Sequence, residues 1–311
     1  MKLPAIMITE PIAPSAVDYL REKGYPIQTE YGQPNPDVAP ADIQAVIVRT
    51  RPIDRAWMDL YPNLKIIAYH GVGIDGIDLE TAKERGIHVT ITPGQNSLAV
   101  AEHAIALMFA LSKQLVPLAS RYGTEGFDCK YGFTYSELTG KTLGLIGLGN
   151  IGLRVARMAR DGFGMRVLAY TRTLKEVETG IEVVSREEVF RQADYVSLHL
   201  PMNPQTYHTV GKAEFELMKP TAFLINTARG GIVDQDALIA ALQSGQIAGA
   251  GLDVTDPEHC PVDNPLLHMD NVVVTPHVAA SSDEALIRVA NMCIDGIEKV
   301  FRGEEPGGRV V

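Results

Sequence analysis

The chain has 311 residues, a length for about two domains of ordinary size. Apolar residues make up 46% and charged residues 21%, the balance of a globular protein with a sizeable core. A formal charge of −10 argues against a nucleic-acid or anionic-membrane partner, because phosphate binding leaves a basic footprint. Cys129, Cys260 and Cys293 show no CxxC spacing, so neither a disulfide framework nor a metal site is expected.

The N-terminal MKLPAIMITEP reads as a first strand and not as a signal peptide, since a proline interrupts its short apolar run. Further strands are expected at 45–49, 65–69 and 88–92. A long helical pattern follows from about Ser97 to Arg121, then a Gly- and Tyr-rich stretch. Its most hydrophobic part, Leu98 to Leu111, carries Glu102 and His103 and is too short to span a bilayer, so a cytoplasmic location is expected. A second series of strands begins at 142–147 and continues at 166–170, 195–200, 222–226, 248–254 and 271–276. Helical patterns lie between, closed by glycines in segments such as SAVDYLREKG and DALIAALQSG. Alternating strands and helices mean an α/β protein with parallel sheets covered on both faces. The last amphipathic pattern, from SSDEALIRVANM onward, needs a surface to pack on. Placing it against the first series makes that domain discontinuous: 1–97 with 284–311, interrupted by 98–283.

The segment TLGLIGLGNIGLRVARMAR sets Gly147, Gly149 and Gly152 in a GxGxxG pattern, with Asn150 and Ile151 between the last two. A strand precedes it, a helix follows, and RVLAY lies at the distance of a βαβ unit. The glycines suit a tight turn, a close approach to a pyrophosphate and close helix–strand packing. The helix N-terminus then offers amides to the phosphates. Two Rossmann-like domains are therefore expected, the second binding a dinucleotide. At the end of RVLAY an NAD site usually has an acid for the ribose hydroxyls. This chain has Thr171, Arg172 and Thr173, which favours NADP, because a guanidinium pairs with a 2'-phosphate that an acid would repel. The alternative is NAD, with Arg172 a solvated loop residue.

Several further segments are in register with one family. HGVGIDGID (70–78), TPGQNSLAVAEHAIALMFAL (92–111), LHLPMNPQT (198–206), NTARGGIVDQDAL (226–238), GLDVTDPE (251–258) and VVVTPHVAASS (272–282) join the glycine loop. Together they resemble the D-2-hydroxyacid dehydrogenases in their short form, over nearly the whole chain. The resemblance implies two Rossmann-like domains, the discontinuous one being the substrate domain, and a homodimer. It implies that Arg229 binds substrate, that His277 is the acid–base and that Glu258 orients it. It places the amides of Val72 and Gly73 on the substrate carboxylate and Asp253 near the nicotinamide carboxamide. Pro201, Thr206, Thr227 and Ala228 are expected along the cofactor. One departure stands out: PEPLP is usual where this chain reads Pro257-Glu258-His259-Cys260-Pro261.

The residue chemistry agrees. His199, Asn226, Asp253 and His277 fall at or just after the carboxyl ends of expected strands, where open parallel sheets bind ligands. Oxidising an alcohol by hydride transfer needs a base for the hydroxyl proton, and histidine titrates in the useful range. A buried arginine can hold an anionic substrate and polarise C2. The other histidines show no metal spacing and read as structural or solvated. VRTRPID (48–54) adds Arg49, and with it Arg51, as candidates for a substrate phosphate or second carboxylate. The expected substrate is a small 2-oxo acid of the glyoxylate or hydroxypyruvate type. A phosphoglycerate dehydrogenase-like enzyme using NAD is the alternative, and a dinucleotide-sensing protein without activity is an alternative of another class.

Overall fold

The computed structural model describes residues 3–172 and 178–311. The chain forms two compact units, Met1–Asn96 with Ser281–Val311, and Ser97–Ala280.

The first unit holds five parallel strands: β1 (Ala5–Ile8), β2 (Ile27–Thr29), β3 (Ile43–Val48), β4 (Ile66–Tyr69) and β5 (His88–Thr90). Their order is β2-β1-β3-β4-β5. Helices α1 (Pro14–Glu22), α2 (Arg55–Asp59) and α3 (Leu79–Glu84) connect them. The central strands are apolar on both faces because both faces are covered. On one, Ile6, Ile8, Ala45, Ile47, Ile66 and Ala68 meet Ala290, Cys293, Ile294 and Ile297 of the last helix of the chain, Asp283–Arg302.

The helical pattern expected from Ser97 to Arg121 is two helices, α4 (Ser97–Ser112) and α5 (Leu115–Glu125), bent by 48°. Gln114 makes the break with a left-handed backbone, φ 53°, a conformation that a regular helix does not contain. Among the described residues no single helix is long and apolar enough to cross a membrane.

The second unit's sheet has seven parallel strands: β6 (Thr142–Ile146), β7 (Arg166–Tyr170), β8 (Ile181–Val183), β9 (Tyr195–Leu198), β10 (Phe223–Asn226), β11 (Gly249–Leu252) and β12 (Val272–Val274). Their order is β12-β11-β10-β9-β6-β7-β8, and helices α6 (Asn150–Arg157), α7 (Arg186–Gln192), α8 (Lys212–Leu217) and α9 (Gln235–Gln243) make the crossovers. The helix closing the first unit, α10 (Asp283–Arg302), is the last.

Strand pairing in this sheet places the chemistry. Tyr170, Ile146, Leu198, Asn226, Leu252 and Val274 pair across in a single row. Each is the last residue of its strand. The residues that follow, Thr171, Gly147, His199, Thr227, Asp253 and Thr275, therefore share one carboxyl edge, with neighbouring strands about 4.8 Å apart. The strand order reverses between β6 and β9, so this edge contains a switch point of the kind that binds ligands in open sheets.

Candidate active site

Beyond β12 the chain turns back sharply. The amide of His277 donates to the Asp253 carbonyl at 2.8 Å, and the His277 backbone takes a left-handed φ of 50°. The Asp253 side chain, 1% exposed, holds the turn: Oδ1 accepts from the Val278 amide at 2.9 Å and from Thr275 Oγ1 at 2.6 Å. Its Oδ2 accepts from the Ala279 amide at 2.8 Å. Both carboxylate oxygens are thus committed to the segment that carries His277. The resemblance placed Asp253 near the nicotinamide; its contacts in the structure are to this turn.

His277 Nδ1 makes a short hydrogen bond with Glu258 Oε1. That bond holds the Glu258 carboxyl below its ordinary value, against partial burial, and the charges of His277, Arg229 and His259 act in the same direction. With Nδ1 engaged, Nε2 is the ring nitrogen left for a substrate. Arg229 follows β10, and its own turn is fixed by Asn226: Nδ2 donates to the Arg229 carbonyl at 2.9 Å, and Oδ1 accepts from the Ala228 amide at 3.0 Å. Arg229 is half-buried, and its Nη1 donates to the Ala228 carbonyl at 2.8 Å.

Next to Arg229, Gly230 has no room for a side chain. A Cβ there would lie 1.9 Å from the Thr255 carbonyl oxygen and 2.8 Å from the Asp256 amide. The Arg229 loop and the loop leading to Glu258 thus touch backbone to backbone.

The glycine loop follows β6, and the Gly147 amide donates to the Tyr170 carbonyl at 2.9 Å. Gly147 has φ 103°, and a Cβ on it would sit 2.5 Å from the His199 carbonyl oxygen. A Cβ on Gly152 would sit 2.3 Å from the Gly147 carbonyl, whereas one on Gly149 would meet nothing within 4 Å. The loop is therefore packed on its inner side and open at Gly149. No side chain caps α6, so the amides of Asn150 and Ile151 are first-turn donors facing that opening. These features fit a dinucleotide pyrophosphate. Thr227 adds a buried hydroxyl with no partner among the described residues, beside Ala228.

His199 lies beneath the loop. Burial pushes its ring down to about 4, so it is neutral near pH 7, and its Nε2 meets Ser197 Oγ at 3.0 Å. Thr206 closes its own turn, its hydroxyl donating to the Pro201 carbonyl at 2.7 Å. Thr171 follows β7 and is half-buried, and Arg172 is exposed and pairs with no acid among the described residues. Thr173 lies outside the described residues.

The remaining candidates belong to the first unit. Val72 and Gly73 sit in the turn after β4, Val72 being exposed. Glu10 organises the loop after β3 by accepting from the amides of Arg49, Thr50 and Arg51 at 3.0, 2.7 and 2.7 Å. Arg49 Nη1 donates to the Pro11 carbonyl at 2.8 Å, and Arg51 pairs with Glu30 at 3.1 Å.

Residues 105–279 match the family of the D-isomer specific 2-hydroxyacid dehydrogenase, NAD binding domain. The chain belongs to the D-isomer specific 2-hydroxyacid dehydrogenases. It is similar to a glyoxylate reductase of Korarchaeum cryptofilum, 43% identical over 271 residues that cover 84% of this chain and 80% of the relative. It is also similar to a D-3-phosphoglycerate dehydrogenase of Archaeoglobus fulgidus, 38% identical over 96% of this chain but only 57% of the relative. Among solved structures, the NADPH-dependent glyoxylate/hydroxypyruvate reductase from Sinorhizobium meliloti, in complex with NADP and malonate, superposes with a TM-score of 0.85. It is 32% identical, covering 99% of this chain and 97% of that one.

As a D-2-hydroxyacid dehydrogenase, the protein moves a hydride between NAD(P)(H) and a small 2-hydroxy or 2-oxo acid. Two parts of this dehydrogenase site escaped the sequence reading. Gly230 was carried only as part of the NTARGGIVDQDAL motif, with no role given to it. Thr275 looked like the end of a strand, and only its partners give it meaning.

Proposed function

We propose that this dehydrogenase works as an NADP-preferring reductase of a small 2-oxo acid of the glyoxylate or hydroxypyruvate type. The observation that carries the chemistry is the Glu258–His277 pair, on the same sheet edge as Arg229. A bound reduced nicotinamide supplies the hydride. Arg229 holds the anionic substrate with a planar fork and draws electron density from C2. His277 Nε2 gives its proton to the C2 oxygen as that carbon gains the hydride, and takes it back in oxidation. Glu258 keeps the ring oriented and favours its charged form. The NADP preference rests on Thr171 and Arg172, where an acid would otherwise stand.

The phosphoglycerate alternative loses support from the pairing of Arg51 with Glu30, which engages one of its two candidate cations. A cytoplasmic homodimer completes the proposal. Leu115, Val116, Tyr122, Phe127 and Tyr131 leave a run of exposed apolar side chains on α5 and the turn after it, suited to a second copy. Light scattering on the purified protein tests that part. Following absorbance at 340 nm with both reduced cofactors against a panel of 2-oxo acids tests the rest. Glyoxylate or hydroxypyruvate should be turned over fastest, with NADPH. Turnover confined to 3-phosphohydroxypyruvate with NADH would transfer the assignment to the alternative.

A further inference from the structure

We infer that His103, a residue of α4 outside the catalytic set, is a positioning residue that acts on His277 through Thr275 and Asp253. The inference rests on His277 being the acid–base.

Hydrogen counting gives the direction of the chain. The Thr275 hydroxyl has one proton, and at 2.6 Å it donates to Asp253 Oδ1, since a carboxylate only accepts. His103 Nε2 lies 2.9 Å from the same hydroxyl oxygen. The proton in that contact must then come from the imidazole, so His103 carries hydrogen on Nε2. The ring nitrogen is also 3.5 Å from Asp253 Oδ1.

Asp253 is where this chain acts. Its carboxylate takes the amides of Val278 and Ala279, and its carbonyl takes the amide of His277. A left-handed backbone at a non-glycine residue persists only where its surroundings over-determine it. Here they are the three bonds to Asp253. With His103 present, the Thr275 hydroxyl has one favourable rotor, with its proton on Asp253 and a lone pair on Nε2. Without His103 the hydroxyl can turn, and the carboxylate loses both a fixed donor and its neighbouring imidazole. His277 would then sample orientations in which Nε2 is misaligned for proton transfer. Neither His103 nor Thr275 is among the residues expected to touch substrate or cofactor, so the loss should fall on kcat.

The test uses the full-length enzyme with its best 2-oxo acid and reduced cofactor, comparing His103→Leu, His103→Gln, Thr275→Val and the Leu/Val double variant. His103→Leu should lower kcat about tenfold, as a small misplacement of the acid–base group does, with both KM values within about twofold. His103→Gln keeps an N–H donor at similar reach and should recover to within about threefold. The double variant should be no slower than Thr275→Val alone, because both changes break one chain. Wild-type kcat in His103→Leu or in Thr275→Val, equal losses in the Leu and Gln variants, additive losses, or a loss confined to KM each overturn the proposal. If His103→Leu does not fold, the Gln and Val variants decide. A nearly inactive His277→Asn beside a normal His103→Leu sinks this inference alone, whereas an active His277→Asn sinks the acid–base reading as well.

Discussion

Gly230 lies so close to Thr255 that a methyl group on it would sit 1.9 Å from the Thr255 carbonyl oxygen. This approach registers the arginine loop against the glutamate loop. Gly230→Ala should force the two loops apart, lowering kcat/KM roughly a hundredfold and stability by about 1–3 kcal/mol. Steady-state kinetics together with urea unfolding check it. An alanine variant with wild-type kinetics would mean that the loops are registered elsewhere.

His277→Asn should reduce turnover by roughly 10²- to 10⁴-fold while cofactor binding stays nearly intact. Asparagine suits the test because it tolerates the left-handed backbone at this position. Glu258→Gln should move the alkaline limb of the reduction profile to lower pH, since the imidazolium loses the carboxylate that favours it. In the wild type, Glu258 is held below its ordinary 4.5, so it stays ionised across the neutral range. Its support for the histidine should fade only as pH falls through that lowered value. Profiles of kcat against pH for both proteins decide this, and superimposable alkaline limbs would count against the role of Glu258.

Arg172→Ala should weaken NADPH roughly ten- to a hundredfold and leave NADH nearly unchanged, the size of one charge-assisted contact. Thr171→Asp should reverse the preference by restoring an acceptor for ribose hydroxyls and repelling a phosphate. The measurement is kcat/KM for both reduced cofactors in the three proteins. A wild type that prefers NADH and an Arg172→Ala variant that matches it would return the site to NAD.

Two buried imidazoles bear on acid stability. Burial lowers His199 to about 4, and burial together with the Arg49 guanidinium does the same to His70. In the unfolded chain each takes a proton near 6.5, while in the folded chain each resists until about 4. Stability should therefore be full above pH 6.5, fall as pH drops toward 4, and level off for these groups below that. Calorimetry at pH 7, 6, 5 and 4.5 should show the decline. It should be shallower in His199→Gln, and an unchanged slope would mean that the ring protonates without cost.

Much of this architecture was legible because parallel strands buried on both faces read as aliphatic runs. RVLAY became β7 without adjustment, and AIMIT, KIIAY and AFLIN needed trimming by one residue. Two of the four edge strands, Ile27–Thr29 and Ile181–Val183, were not expected. Each has three residues, with Gln28 in one and Glu182 in the other, so neither shows an aliphatic run. The kink at Gln114 was invisible because nothing in LSKQLVP requires a left-handed residue. Within the site, Arg229, Glu258 and His277 were candidates from motif register. The contacts that hold the turn of His277 could not be read, because Asp253, Thr275 and His103 meet only through tertiary packing of α4 on β11 and β12.

The split of the first unit between the two ends of the chain also has a consequence for synthesis. All five of its strands lie within the first 96 residues, but α10, which covers Ile6, Ile8, Ile47 and Ile66, is made last. Translation runs at about 5–20 residues per second, so this apolar sheet face waits on the order of ten seconds or more for its cover. The inserted unit emerges and can fold during that interval. Until α10 is made, a nascent chain of this protein therefore leaves that apolar face uncovered. A product truncated before residue 283 would keep a complete second unit beside a sheet that cannot be closed, prone to aggregate through its own strands.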